Sequence, residues 1–234
     1  MNYEIILLDA DGTLLDFSRS EREAVAMTLS EAGLPSDDGV ILTYSEINDS
    51  LWKMLERGEI QKSVLFYRRF ELLLERFGWQ GDALAMAKRY MECLSHKGYL
   101  IDGAEELCRR LSRDHRLYIV TNGTEWIQRG RLADSGLLPY MSDVFISDLI
   151  GAPKPRAEFF TYVAEHISGF DPDRTLIVGD SLSSDMAGGI AYGIDTCWYN
   201  PKGAAVPPEM RGKLTGVVSD FEELVAWIEK GDRV

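Results

Sequence analysis

The chain is poor in cysteine and in positive charge, and it has no long apolar run. Its 234 residues include only Cys93, Cys108 and Cys197, an odd count with no C-x-x-C spacing. No disulfide framework or zinc motif can be read from them, and a small buried hydrophobe is the expected role of each. Lys and Arg number 25 against 38 Asp and Glu, a net charge of −13. Such a surface repels DNA and RNA backbones, so no nucleic-acid polymer is expected as a partner. No stretch approaches the ~18 apolar residues that a membrane span needs. The run from Ile5 to Leu8 is too short for a signal peptide, has no basic flank and ends in acid. A soluble cytoplasmic protein with no membrane partner is therefore expected. The 21 Gly and 8 Pro follow no period, which excludes collagen-like and low-complexity chains. What is left, 45% hydrophobic and 27% charged residues, is the composition of a folded chain long enough to bury a core unaided.

Apolar periodicity organises that core. Ile5 to Leu8, Leu117 to Val120 and Leu176 to Val178 are continuous apolar runs, as in strands covered on both faces. Weaker strand patterns cover Asp143 to Ile146, Thr196 to Tyr199 and Gly216 to Val218. Helical spacing covers Gly103 to Arg113, Glu125 to Ser135, Pro155 to Ile167, Ser184 to Tyr192 and Phe221 to Lys230. Alternating strands and helices predict an α/β fold with a Rossmann-like parallel sheet in a three-layer core. Ligands in such sheets bind beyond the carboxyl ends of the strands. Residues 16–98 break the alternation with helical stretches near 19–33, 39–57, 61–77 and 82–96. They read as an all-helical domain inserted after the first strand, with 1–15 and 99–234 forming the core. Ser18 and Glu21 have capping-box spacing, and Gly33 is placed to close the first inserted helix.

Polar clusters end the strong strands. Asp9-Ala10-Asp11-Gly12-Thr13 places two carboxylates one residue apart. They repel unless a cation offsets them, and hard oxygen ligands favour magnesium. One acid can attack phosphorus while the other carries a proton. Gly179-Asp180-Ser181 with Asp185 adds acid where acid is already dense, which makes sense mainly around a cation. Thr121-Asn122-Gly123 offers a hydroxyl, an amide and a backbone N–H to phosphate oxygens, although alone it also reads as a turn. Lys154 can aim an ammonium at an anion, with Pro155 at a first helical position.

In their order Asp, Thr, Lys, Asp, these clusters resemble the four motifs of the haloacid dehalogenase-like phosphatase superfamily, and the helical block resembles its cap domain. The resemblance implies that Asp9 is the nucleophile that becomes an aspartyl phosphate. It implies that Asp11 protonates the leaving oxygen and later activates water. Thr121, Asn122, Gly123 and Lys154 would bind phosphate. Mg2+ would be held by Asp9, the backbone carbonyl of Asp11, and Asp180, with Asp185 in support. Asp11 beside Asp180 argues for phosphate rather than carbon–halogen chemistry. The run from Asp9 to Phe17 resembles the pyrimidine-type 5′-nucleotidases, implying a nucleoside 5′-monophosphate substrate and a small-molecule partner. A base needs a stacking surface; Phe17, Trp52, Phe66 and Tyr67 are the aromatic candidates, with packing in the cap core as the alternative reading of each, and Trp126 could border the pocket. Arg22, Lys53, Arg68 and Arg69 could meet sugar or phosphate. Cap motion would hinge near Leu14–Phe17 and Tyr99–Asp102, in a monomer or weak homodimer. A sugar-phosphate phosphatase or phosphomutase on the same fold, and a phosphate-sensing or scaffold protein without turnover, are the alternatives.

Overall fold

The computed structural model describes residues 3–230. Six strands form one parallel sheet: β1 (Ile5–Leu8), β2 (Arg116–Thr121), β3 (Asp143–Ile146), β4 (Thr175–Gly179), β5 (Asp195–Tyr199) and β6 (Gly216–Val218), in the order β3-β2-β1-β4-β5-β6. The continuous apolar runs are explained by burial on both faces. Ile6, Leu8, Ile119 and Val178 point to one side, against α5 (Ala104–Leu111) and α10 (Phe221–Lys230). Ile5, Leu7, Val120 and Ile177 point to the other, against α8 (Ala157–His166). The expected three-layer α/β core is therefore present, and the weaker strand patterns are strands as well.

The excursion after β1 contains α1 (Phe17–Glu31), α2 (Asp38–Glu56), α3 (Lys62–Phe77) and α4 (Ala83–Ser95). These helices have their own apolar cluster, including Val25, Leu29, Tyr44, Phe70, Leu73 and Tyr90. Ile127, from α6 (Glu125–Ser135), joins it from the core side. The chain leaves and returns at adjacent points. Leu15 pairs with Leu100, the Asp16 N–H donates to the Tyr99 carbonyl at 2.8 Å, and the Ile101 N–H donates to that of Leu14 at 2.9 Å.

Three local expectations are corrected. The first helix begins at Phe17, and Asp16 caps it by accepting from the Arg19 N–H at 2.9 Å. Ser18 therefore lies inside the first turn, and no capping box forms with Glu21. Glu21 instead faces α2, where it accepts from Ser45 Oγ at 2.6 Å and Asn48 Nδ2 at 2.8 Å. Pro155 is not the first residue of a helix, because α8 starts at Ala157; Pro155 lies in the preceding turn, closed by the Arg156 N–H on the Pro153 carbonyl. Gly33 does follow the end of α1, at φ +70°. The segment expected as one helix from Ser184 opens as a π-helical turn, Leu182–Met186, before α9 (Ala187–Tyr192).

All three cysteines are buried free thiols, as their roles as small hydrophobes require; burial pushes the Cys108 thiol up to about 12. Among the described residues no helix is long and apolar enough to cross a membrane.

Candidate active site

The sheet order makes β2, β1 and β4 neighbours, so the loops after them meet at one carboxyl edge. Asp9 continues β1, its N–H donating to the Val178 carbonyl at 2.9 Å. Thr121 ends β2, and Asp180 follows β4. At Gly12 the backbone turns back at φ +86°, and a Cβ there would sit 2.4 Å from Asp180 Oδ2. Glycine is thus required both by the left-handed conformation and by the close approach of the two acidic loops. Thr13 ties those loops together. Its hydroxyl donates to Asp9 Oδ2 at 3.3 Å and accepts from the Asp180 N–H at 3.1 Å.

Lys154 is the charge centre of the cluster. Only 1% exposed, its ammonium donates to Asp9 Oδ1 at 2.6 Å, Asp185 Oδ1 at 2.6 Å and the Val120 carbonyl at 2.7 Å. Burial works against that charge, but Asp185 and Asp9 outweigh it and hold the ammonium above its ordinary value. The Lys154 backbone is clamped by Asn122, whose Oδ1 accepts from its N–H at 2.8 Å and whose Nδ2 donates to its carbonyl at 2.9 Å. Asn122 therefore spends its side chain on aligning Lys154, and what it presents to a ligand is backbone.

Asp9, Asp180 and Asp185 each offer an oxygen within 4.8 Å of the others. Burial pushes Asp9 well above the ordinary carboxylate range, Lys154 opposes this, and Asp185 and Asp180 add to it. Asp180, open to the cavity, is pushed up to about 7 by desolvation and then by Asp185. Three carboxylates stand around one ammonium that pairs with only Asp9 and Asp185, which leaves an excess of negative charge on hard oxygen donors. That donor set fits a divalent cation such as Mg2+. Asp185 is also fixed by the Ser181 N–H at 3.2 Å.

A cavity of about 200 Å³ opens over this cluster, lined by Asp9, Asp11, Thr121, Lys154 and Asp180, with Phe17 and Trp52 on its helical side. A second cavity of about 390 Å³ shares Trp52, Glu56 and Asn122 with it. The helices also touch the site loops directly. Lys62 Nζ donates to the Asn122 and Gly123 carbonyls, each at 3.0 Å, and to Asp148. Ser183 Oγ donates to Glu56 Oε2 at 2.9 Å.

Asp9, Asp11, Thr121, Asn122, Gly123, Lys154, Asp180 and Asp185 are thus brought together, with Phe17 and Trp52 beside them. Tyr67 is not; it packs on the helical cluster and lines a different cavity on the outer side, with Trp79. Trp126 is exposed and does not line the site. Arg69 is buried among the helices, donating to Asn48 Oδ1 at 3.1 Å. Arg22 pairs with Asp38, and Arg68 with Glu71 and Glu75; Lys53 is exposed.

Sequence reasoning missed Gln128 and Arg131, both buried and both bonded to Asp11. It also missed Trp198, whose indole N–H donates to the Asp180 carbonyl at 2.8 Å. The available signal for the first pair was two polar residues three apart on the inner face of a helix that starts just after Thr121.

Comparison with known proteins supplies the family. The model of the haloacid dehalogenase-like hydrolases matches residues 3–193. The pyrimidine 5′-nucleotidase PynA of Streptococcus pneumoniae is 43% identical over 231 residues, 98% of this chain and 97% of that protein. The pyrimidine 5′-nucleotidase YjjG of Escherichia coli is 30% identical over 225 residues, 96% of this chain and 97% of that protein. The crystal structure of the HAD-hydrolase YfnB from Bacillus subtilis bound to magnesium superposes with a TM-score of 0.93 at 37% identity, covering 97% of this chain and 99% of that one. A family match over most of the chain and relatives alike over almost its whole length place it, and the chain belongs to the haloacid dehalogenase-like hydrolase family.

Proposed function

We propose that this chain is a magnesium-dependent phosphatase that hydrolyses nucleoside 5′-monophosphates, pyrimidine nucleotides foremost, through an aspartyl phosphate on Asp9. The observation that carries the reading is the Asp9 carboxylate, with Oδ1 held by Lys154 at 2.6 Å and Oδ2 by Thr13 at 3.3 Å. It is fixed at the floor of a cavity that Thr121 also lines. PynA and YjjG, alike over almost the whole chain, support the nucleotide. The second cavity beyond Trp52 gives a nucleoside-sized leaving group room.

The chemistry follows from positioning and charge. Thr121, with the backbone after it, and Lys154 receive the phosphoryl oxygens. An Asp9 oxygen forms a bond to phosphorus as the phosphorus–ester oxygen bond breaks. The departing oxygen keeps the bonding pair and takes a proton from the Asp11 carboxyl. Water then attacks phosphorus, gives a proton back to Asp11 and releases inorganic phosphate from Asp9. Asp9, Asp180 and Asp185 would hold Mg2+, which offsets the charge of an incoming dianion. The helices over the site, with Phe17 and Trp52 facing the cavity, act as the cap that selects the leaving group and excludes water.

The test is phosphate release from a panel of nucleotides and sugar phosphates, with chelator and with added Mg2+, for wild type and Asp9→Asn. Nucleoside 5′-monophosphates should turn over fastest, only with Mg2+, and Asp9→Asn should be inactive with an unchanged melting profile. A sugar phosphate preferred throughout would refute the nucleotide. Interconversion of sugar phosphates with little free phosphate would indicate a mutase. Turnover of no ester would refute the enzyme.

A further inference from the structure

We propose that Gln128 and Arg131 of α6 are positioning residues that set the Asp11 carboxyl for proton transfer and join it to the phosphate-binding Thr121. The proposal rests on the acid/base role given to Asp11 above. Gln128 is 1% exposed, and its Nε2 donates both to Asp11 Oδ2 and to Thr121 Oγ1, each at 2.7 Å. One amide nitrogen thereby fixes the distance between the proton-transferring group and a group that grips phosphate. Arg131, also 1% exposed, donates from Nη1 to Asp11 Oδ1 and, at 3.2 Å, to Gln128 Oε1. Positions three apart share a helix face, so one rigid helix carries both residues.

Charge makes the arrangement specific. A buried guanidinium is costly unless it is paired. Among the described residues, the one acid paired with Arg131 is Asp11, and Arg131 Nη2 has no hydrogen-bond partner. The favourable state of Arg131 therefore has the Asp11 carboxyl in this position. An ionised carboxylate has about four lone-pair sites, and a protonated one has an O–H donor in place of some of that acceptor capacity. Gln128 and Arg131 take one on each oxygen, leaving the others to the cavity that Asp11 lines.

The backbone around α6 fixes the helix itself. A Cβ at Gly123 would lie 2.4 Å from Gln128, one at Gly130 2.3 Å from the Ser95 carbonyl, and one at Gly98 2.2 Å from the Arg131 carbonyl. Arg131 Nε donates to the Lys97 carbonyl at 3.2 Å. The position of Asp11 is thus referenced to the segment by which the chain returns from the helices.

The experiment compares Gln128→Leu, Gln128→Met and Arg131→Lys with wild type on a nucleoside 5′-monophosphate and on p-nitrophenyl phosphate. The nucleotide's alkoxide leaves only with a proton, whereas p-nitrophenolate leaves without one. Using kcat/KM confines the comparison to formation of the phosphoenzyme. We expect each Gln128 variant to lose about 20-fold or more on the nucleotide and under about 3-fold on the aryl ester, within the range of a misplaced general acid. Arg131→Lys, which keeps the charge, should fall between these variants and wild type. Equal losses on both esters, or no loss on either, would overturn the proposal. A crystal structure of Gln128→Leu or Gln128→Met gives a readout without turnover: the Asp11 carboxyl should leave its wild-type position, and an unmoved carboxyl also overturns it. Wild-type protein that hydrolyses neither ester refutes the phosphatase reading instead, and the crystal structures still decide the positioning.

Discussion

Neutralising Glu21, which does not line the cavity over Asp9, should change how stability depends on pH. Glu21 is buried between α1 and α2, and desolvation is the main reason its carboxyl rises from 4.5 to about 7; Asp49 adds to the rise, while Ser45, Arg69 and Asn48 oppose it. Because the folded value is the higher one, the folded state binds more protons between pH 4.5 and 7, and stability falls as pH rises through that window. The displacement is worth about 3 kcal/mol in all. Glu21→Gln removes the ionisation and keeps the contacts. Its carbonyl accepts from Asn48, and its amide donates to the Ser45 hydroxyl that now donates to Glu21. Urea unfolding of both proteins from pH 5 to pH 8 measures the effect. The variant should gain on wild type by up to about 3 kcal/mol across the range, at no more than about 1.4 kcal/mol per pH unit. A stability difference that stays constant from pH 5 to pH 8 would refute the reasoning.

Other expectations concern the site. Lys154→Met leaves Asp9 and Asp185 buried without their shared ammonium; unfolding in chelator should show a loss of about 3–5 kcal/mol, and turnover should disappear. Gly12→Ala places a methyl against Asp180 at a positive φ; it should cost about 1–3 kcal/mol in melting experiments and at least about 100-fold in kcat/KM by disturbing the geometry of the two acidic loops. Trp52→Ala should raise KM for the nucleotide by about 10-fold, as loss of an aromatic contact predicts, and leave a small aryl phosphate nearly unchanged; a matching rise for both would count against stacking on Trp52.

Much of the molecule is readable without coordinates because doubly covered strands carry no competing pattern. Ile5 to Leu8 and Leu176 to Val178 are apolar throughout since each face meets helices, and the acids at their ends stand out for that reason. Short edge strands such as β6 are legible more by position in the alternation than by composition. Failures cluster where one residue type serves two purposes. Glu21 has the spacing of a cap, yet it is an interior acid, because Asp16 already occupies the capping position. Tyr67 and Arg69 look like ligand groups, yet they belong to the packing of the helices. Gln128 and Arg131 went unseen because a polar residue on an amphipathic helix is ordinarily solvated; only the tertiary meeting of α6 with the Asp11 loop gives them partners.

The pairing of Leu15 with Leu100 has a bearing on how specificity can be exchanged. To the sheet, the entire helical excursion is equivalent to a hairpin, since its two ends stand side by side whatever lies between them. The entropic cost of closing a loop grows only slowly with its length, so a different helical segment spliced at these two positions adds little strain to the parallel sheet below. Such a graft must still supply a neighbour for Ile127 and a carbonyl for Arg131. A chimera that respects those two demands would take its substrate range from one parent and its reaction from the other.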